Sequence, residues 1–221
     1  MGTDIHFYVE RYENGKWVHV VDSGIPCERS NCQDADPDED DGFRCYRCKD
    51  TGFERFYRQR NYWLFGVLAG VRGMHPPIKL PKGLPSDLSD EVTVEWRRGE
   101  SDWHTPTYLT LAELNTFNWL GTYEARMFAS PVEFLAHRAT GSPIEVGHTR
   151  STQVSEGLMH QFLHGLWEHD AGRTPITEVQ WADPIVNVAR KFVEETLPAL
   201  DRVAIIAGGN HNVRCIYWFD N

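Results

Sequence analysis

Four of the five cysteines fall between Gly24 and Phe53, spaced as Cys27-x4-Cys32 and Cys45-x2-Cys48 with twelve residues between the pairs. Two short-spaced thiol pairs suit a tetrahedral zinc site, because each tight turn delivers two thiolates. In a reducing compartment such pairs are metal ligands more often than disulfides. Four thiolates close the coordination sphere, so the expected zinc is structural: Cys27, Cys32, Cys45 and Cys48 would clip an insert spanning 25–51. Between the pairs runs the acid series Asp34, Asp36, Asp38, Glu39, Asp40 and Asp41. It fails the calcium-loop pattern, since Glu39 stands where glycine is needed and Cys45 where a bidentate glutamate is needed. It reads as a solvated loop tip. Cys215 lies in an apolar run and reads as a core residue.

Other polar groups could do chemistry. Asp4 and His6 stand two apart on an expected strand and share a face, where a carboxylate can orient an imidazole or share a second divalent metal with it. The competing reading is an exposed polar strand face. Arg58, Arg60 and Asn61 precede a helix and Arg72 lies at its far end, an arrangement suited to bidentate anion recognition. Surface charge balancing an acidic chain is the alternative there. Asp102, His104, Thr105 and Thr107 precede a capped helix, where a histidine among hydroxyls can act as acid, base or ligand, or belong to an ordinary surface loop. His160 and His164 sit at i and i+4, but Gln161 replaces the glutamate of a metalloprotease motif.

The elements that must hold these residues read as follows. Alternation around Glu13-Asn14-Gly15-Lys16 predicts a hairpin, Thr3–Glu10 and Lys16–Val21, with Ile5, Phe7 and Val9 on one face and Asp4, His6, Tyr8 and Glu10 on the other. Helical spacing through Tyr62, Phe65, Leu68 and Ala69 ends at Gly73. Residues 75–90 read as a Pro/Gly-rich loop, VTVEW as a short strand, and Thr110 with Glu113 as a capping box opening a helix. Further helices are expected at Ser130–Thr140, over SEGLMHQFLHGLWEHD, and over DPIVNVARKFVEETLPAL, with Asp183 capping Pro184. The last twenty residues read as a second hairpin around GGNHN. The expected fold is α+β: a single mixed domain over 1–221, with N- and C-terminal β-hairpins in one sheet, several helices, and the four-cysteine zinc-knuckle insert.

The 221 residues carry a net charge of −10, 41% hydrophobic and 12% aromatic residues. That is a globular composition with no general attraction to phosphate backbones, so non-specific nucleic-acid binding is not expected. No apolar run approaches the roughly 20 residues of a membrane span. The start MGTDIHFYVE lacks the basic and apolar regions of a signal peptide, so a cytoplasmic protein without membrane association is expected.

Taken together, MGTDIHFYVE, RNYWLFGVLAGVRG, PKGLPSDLS, WHTPTYLTLAEL and the terminal VRCIYWFDN resemble an uncharacterised family of small proteins encoded by tailed bacteriophages. The blocks cover the first ten residues, roughly 58–120, and the last ten; residues 125–200 carry none, and the cysteine module looks like an insert found in some members. The resemblance implies an infected host cell as the setting and puts weight on the polar residues inside the blocks. If the terminal strands share a sheet, Asp4, His6, His104 and Asp220 would form a catalytic group, with Arg60, Asn61, Tyr62, Arg72, Asp87 and Asn221 binding a ligand. A carboxylate–imidazole cluster beside arginines suits a phosphorylated or nucleotide-like molecule. Two functions follow as expectations: a hydrolase with a counter-defence role, with or without a metal, or a non-catalytic binder that sequesters an anionic ligand or inhibits a host protein.

Overall fold

A computed structural model describes residues 3–27, 48, 51–72, 76–141, 150–169 and 172–220. Strand β1 (Ile5–Glu13) turns through Asn14 and Gly15 into β2 (Lys16–His19), and α1 (Tyr62–Ala69) and α2 (Asp90–Arg97) follow. Next come β3 (His104–Thr110) and α3 (Leu111–Thr116), then β4 (Thr122–Ala129), α4 (Pro131–Thr140), β5 (Ser151–Gln153), α5 (Glu156–Leu163) and β6 (Thr174–Pro184). The chain closes with α6 (Ile185–Val188), a π-helical turn (Phe192–Thr196), α7 (Leu197–Ala207), a 3-10 turn (Asn210–Asn212) and β7 (Val213–Phe219). The α+β class is as expected. The chain groups into two compact units, 1–121 with 185–221, and 122–184.

The first unit is built on a sheet of order β2-β1-β7-β3. Its hairpin is the one expected: Asn14 and Gly15 have φ of 52° and 84°, the left-handed pair that matches the twist of flanking strands. The terminal strands do pair, with Ile5 opposite Phe219 and Arg11 opposite Val213. Every residue of β7 is buried, which explains its near-continuous apolar run: both faces are covered. On one face, Val92 of α2 packs with Ile216 and Trp218, joined by Tyr8, Trp96 and Trp103. On the other, Phe7 lies 5.9 Å from Tyr217 and 6.0 Å from Phe192, and Phe65 of α1 lies 5.0 Å from Phe219.

Several local expectations are corrected. The C-terminal hairpin is a helix, a 3-10 turn and one strand. Val203 and Ala204 are buried with Leu200 and Leu197 at helical spacing, while Ile205 and Ile206 are 81% and 72% exposed, so this apolar run packs along one side of α7. VTVEW lies in α2, whose start is fixed by the Ser89 side chain accepting from the Val92 amide and by Asp90 and Glu91 in the first turn. Helix α1 stops at Gly70 (φ 72°) rather than Gly73. Asp183 and Pro184 are the last residues of β6, not a helix cap. His104 lies on a strand, not in a loop. The expected cap of α3 is present, with Thr110 and Glu113 bonded reciprocally.

The second unit has its own three-stranded sheet of order β4-β6-β5. Strand β4 pairs antiparallel with β6 from Thr122 opposite Pro184 to Ala129 opposite Thr177. Its core joins Ala129, Phe134, Met159 and Val179. Helix α4 starts on a capping box of Ser130 and Glu133.

Candidate functional site

The pairing of β1 with β7 brings the two chain ends together. The Asp220 amide donates to the Asp4 carbonyl at 3.2 Å, and the Asp4 amide donates to Oδ1 of Asp220 at 2.7 Å. The other oxygen, Oδ2, lies 3.2 Å from Nε2 of His6. An ionised carboxylate only accepts, so His6 donates from Nε2. His6 stacks beside Trp218 and sits 5.0 Å from Trp103.

The arginines expected to bind an anion have partners within the protein. Arg60 grips Asp4 with both ends of its fork, at 2.7 and 2.6 Å, which holds the Asp4 carboxyl below the usual carboxylate range. Both side chains are 51% exposed, so this pair adds little stability, but it occupies both groups. Arg72 donates to the Thr3 hydroxyl at 3.0 Å and lies 6.0 Å from the Tyr62 ring centre. The Tyr62 hydroxyl accepts from the Thr3 amide at 3.2 Å. Asn61 caps α1, accepting from the Leu64 amide, and donates to the Val188 carbonyl at 2.6 Å. Asp87 accepts from Arg214 at 2.7 Å, which lowers its pKa. Asn221 lies outside the described residues.

His104 does not join this group. It pairs across β7 with Phe219, which in turn faces Ile5, whereas His6 faces Trp218; directly opposed residues share a face, so the two imidazoles lie on opposite sides of the sheet. Nδ1 of His104 is 2.9 Å from the Thr105 hydroxyl, while its Nε2 is buried without a partner among the described residues. Asp4, His6 and Asp220 therefore converge, and His104 stands apart. Among the described residues no cluster of three or more His, Cys, Asp or Glu is placed to hold a metal ion.

A cavity of about 510 Å³ lies in the first unit, within the size range of small-ligand sites. Five consecutive residues of β1, Ile5 to Val9, line it. Successive strand residues point to opposite faces, so a space that touches all five must run along the edge of the strand. The ladder leaves this edge open among the described residues. Asp220 bonds to Asp4, which assigns the even residues of β1 to β7, and the Val9 carbonyl accepts from the Val20 amide at 2.8 Å, which turns the odd residues outward. Tyr62 satisfies the Thr3 amide at one end and Val20 pairs with Val9 at the other, so among the described residues the backbone groups of Ile5 and Phe7 between them have no ladder partner.

The two walls of this slot differ. Facing His6 and Tyr8, α2 contributes Asp90, Glu91 and Glu95, against Arg98 just beyond the helix and Arg55. The Tyr8 hydroxyl donates to Glu95 at 3.3 Å, Arg98 is bonded to the same carboxylate, and burial together with the Glu95 charge pushes the Tyr8 phenol up. Burial pushes His19 down, against the pull of Glu91, Glu10 and Glu95. The opposite wall is apolar, with Phe7 6.0 Å from Tyr57 and Phe56 beside them. Residue-by-residue reading missed the slot because its defining feature is an unpaired edge, which no motif encodes. The alternation of β1 did put Tyr8 beside His6, which was the available signal.

Of the four expected zinc ligands, Cys32 and Cys45 lie outside the described residues. The chain on either side of them is held together: the Cys27 amide donates to the Gly52 carbonyl at 3.0 Å, the Thr51 amide to the Cys48 carbonyl at 3.1 Å, and Pro26 bridges to Phe53. Such a closed neck is compatible with a thiolate clip over 25–51. No helix among the described residues is long and apolar enough to cross a membrane. Comparison with protein families, with curated proteins and with solved structures finds no match for the chain.

Proposed function

We propose that the protein is a binder that captures its target in the slot along the edge of β1. The observation that carries this is that Ile5 to Val9 all line one cavity of about 510 Å³ beside backbone groups that have no ladder partner among the described residues. The alternative of a four-residue catalytic group is weaker, since His104 is on the other face of the sheet from His6. The commitment of Arg60 to Asp4 also argues against an anion at that corner. The resemblance to a bacteriophage family supports a host component as the target and counter-defence as the role. Zinc at Cys27, Cys32, Cys45 and Cys48 belongs to the same proposal as support for the segment that faces β1 across the slot.

Nile red, a neutral apolar dye, tests the slot. It should bind with one-to-one stoichiometry, and Val94→Trp, which places an indole in the cavity from a half-exposed position of α2, should abolish binding without altering the circular dichroism. Equal binding by wild type and variant would rule out the slot as the site.

A second reading is favoured by one contact, the 3.2 Å approach of His6 to Asp220. A histidine lining a cavity and oriented by a carboxylate is equipped as a general base. On this reading the protein hydrolyses a phosphorylated or nucleotide-like molecule, with or without a divalent metal at Asp4 and His6. It predicts turnover of bis(p-nitrophenyl) phosphate that falls roughly a hundredfold or more in His6→Ala. Absence of turnover in the wild type, with and without added Mg²⁺ or Mn²⁺, would leave the binder alone.

A further inference from the structure

We infer that the slot takes an extended peptide segment of a partner protein, with basic and apolar side chains in alternation, which adds to β1 as a strand. This rests on the reading of the slot as the binding site and names what fills it. The first ground is the backbone. Ile5 and Phe7 present N–H and C=O groups outward, between an end closed by Tyr62 and an end closed by Val20. Main-chain groups of an incoming strand are the partners that satisfy such an edge at the spacing of a ladder, and strand addition is a recurrent mode of peptide capture. The distance from Thr3 to Val9 accommodates about five extended residues at roughly 3.3 Å each.

The second ground is the contrast between the walls. A strand entering here points alternate side chains to opposite faces. One set meets Asp90, Glu91 and Glu95, which together outnumber Arg98 and Arg55; the other meets Phe7, Phe56 and Tyr57. Lysine or arginine at one parity and aliphatic residues at the other are complementary to that surface. The net charge of −10 adds attraction at long range. A polyanionic ligand would meet the acidic wall and is disfavoured in the slot.

The test uses the intact protein and a capped pentapeptide that alternates valine and lysine. Displacement of Nile red and ¹⁵N-resolved amide exchange are the readouts. The peptide should displace the dye and slow exchange at the Ile5 and Phe7 amides. Replacing its lysines by glutamates, or methylating the amides that would pair with β1, should each weaken it by roughly tenfold or more, the loss expected for removing charge complementarity or ladder bonds. Glu91→Lys, an exposed change on α2, should weaken the lysine peptide several-fold and strengthen the glutamate one. Equal binding of the methylated peptide overturns strand addition, and equal binding of the glutamate peptide overturns the charge assignment. Dye binding without displacement by any of these peptides overturns the inference while leaving the slot as a site; failure of the dye to bind removes both. Concentration-dependent protection of Ile5 and Phe7 in the free protein would mean that a second copy occupies the edge, and would overturn a peptide partner.

Discussion

Arg214 is a charged residue near the start of a fully buried strand, and its surroundings explain how it stays there. Its Nε donates to Glu10 at 2.7 Å, its Nη1 to Asp87 at 2.7 Å, and its guanidinium stacks 4.0 Å over the Trp17 ring. Glu10, 0% exposed, also accepts from the Ser89 amide at 2.8 Å, so the buried pair links β1, β7 and the start of α2. Breaking one side of such a pair strands a charge in the interior. Arg214→Met should therefore destabilise the first unit by about 3–5 kcal/mol, and adding Glu10→Gln should restore part of the loss; urea unfolding of wild type and the two variants reads this directly. A cost below about 1 kcal/mol for Arg214→Met would contradict the role assigned to the pair. His19 carries a pH dependence of definite sign. Burial depresses its folded pKa, so the unfolded chain takes up a proton first as pH falls below about 6.5. Its contribution is present above about pH 6.5 and is lost on acidification toward the folded value. The urea midpoint of wild type should drop more between about pH 7.5 and 5.5 than that of His19→Gln, and a larger drop in the variant would contradict this. Residue roles were only partly legible in sequence. Of the expected group Asp4, His6, His104 and Asp220, three meet in space and His104 does not, whereas nothing local in VRCIYWF announces that Arg214 has a partner two hundred residues away.

At the scale of elements, capping chemistry was the most readable signal and β-branched content the most misleading. Thr110 with Glu113 forms the box its spacing announces, and Ser130 with Glu133 forms a second one at the start of an expected helix. VTVEW looked like a strand from its valines and threonine, yet Ser89, Asp90 and Glu91 before it are a helix start, and burial of Val92 against Trp218 settles the matter by tertiary packing. The same competition misassigned the valine and isoleucines of α7. Asn61 joins two elements, since it caps α1 and anchors the Val188 carbonyl at the end of α6. Asn61→Ala should cost about 1–3 kcal/mol, more than a cap alone, as measured by the thermal midpoint. Thr105 sits at the irregularity of β3 with φ of 52°, a left-handed conformation unfavourable for a β-branched residue. Thr105→Asn, which tolerates that conformation, should stabilise by about 0.5–1 kcal/mol. A loss of stability instead would show that the contact of its hydroxyl with His104 outweighs the strain.

For the whole molecule, the second unit has the character of an insertion. The chain leaves the first unit at Gly121 and returns at Ile185, and the Ile185 amide donates to the Gly121 carbonyl at 2.9 Å, with Val186 donating to Trp119 at 3.0 Å just beyond. Replacing 122–184 by a short Gly-Ser linker should therefore leave a folded first unit with its slot able to bind Nile red. A product lacking cooperative unfolding would contradict that independence. None of the blocks that carry the resemblance falls inside 125–200, and no linker of distinctive composition marks the boundary, because both joints are made by long-range backbone bonds. The proposed zinc clip bears on the same slot. Cys45→Ser, or exposure to a strong chelator, should loosen the segment 51–57 and cost local order before any other property, with one zinc released per chain in native mass spectrometry. The most direct test of the central claim needs no ligand. In the free protein, the Ile5 and Phe7 amides should exchange with solvent far faster than those of His6 and Tyr8, whose hydrogen bonds go to β7; equal protection of all four would mean that the edge of β1 is covered and would contradict the account.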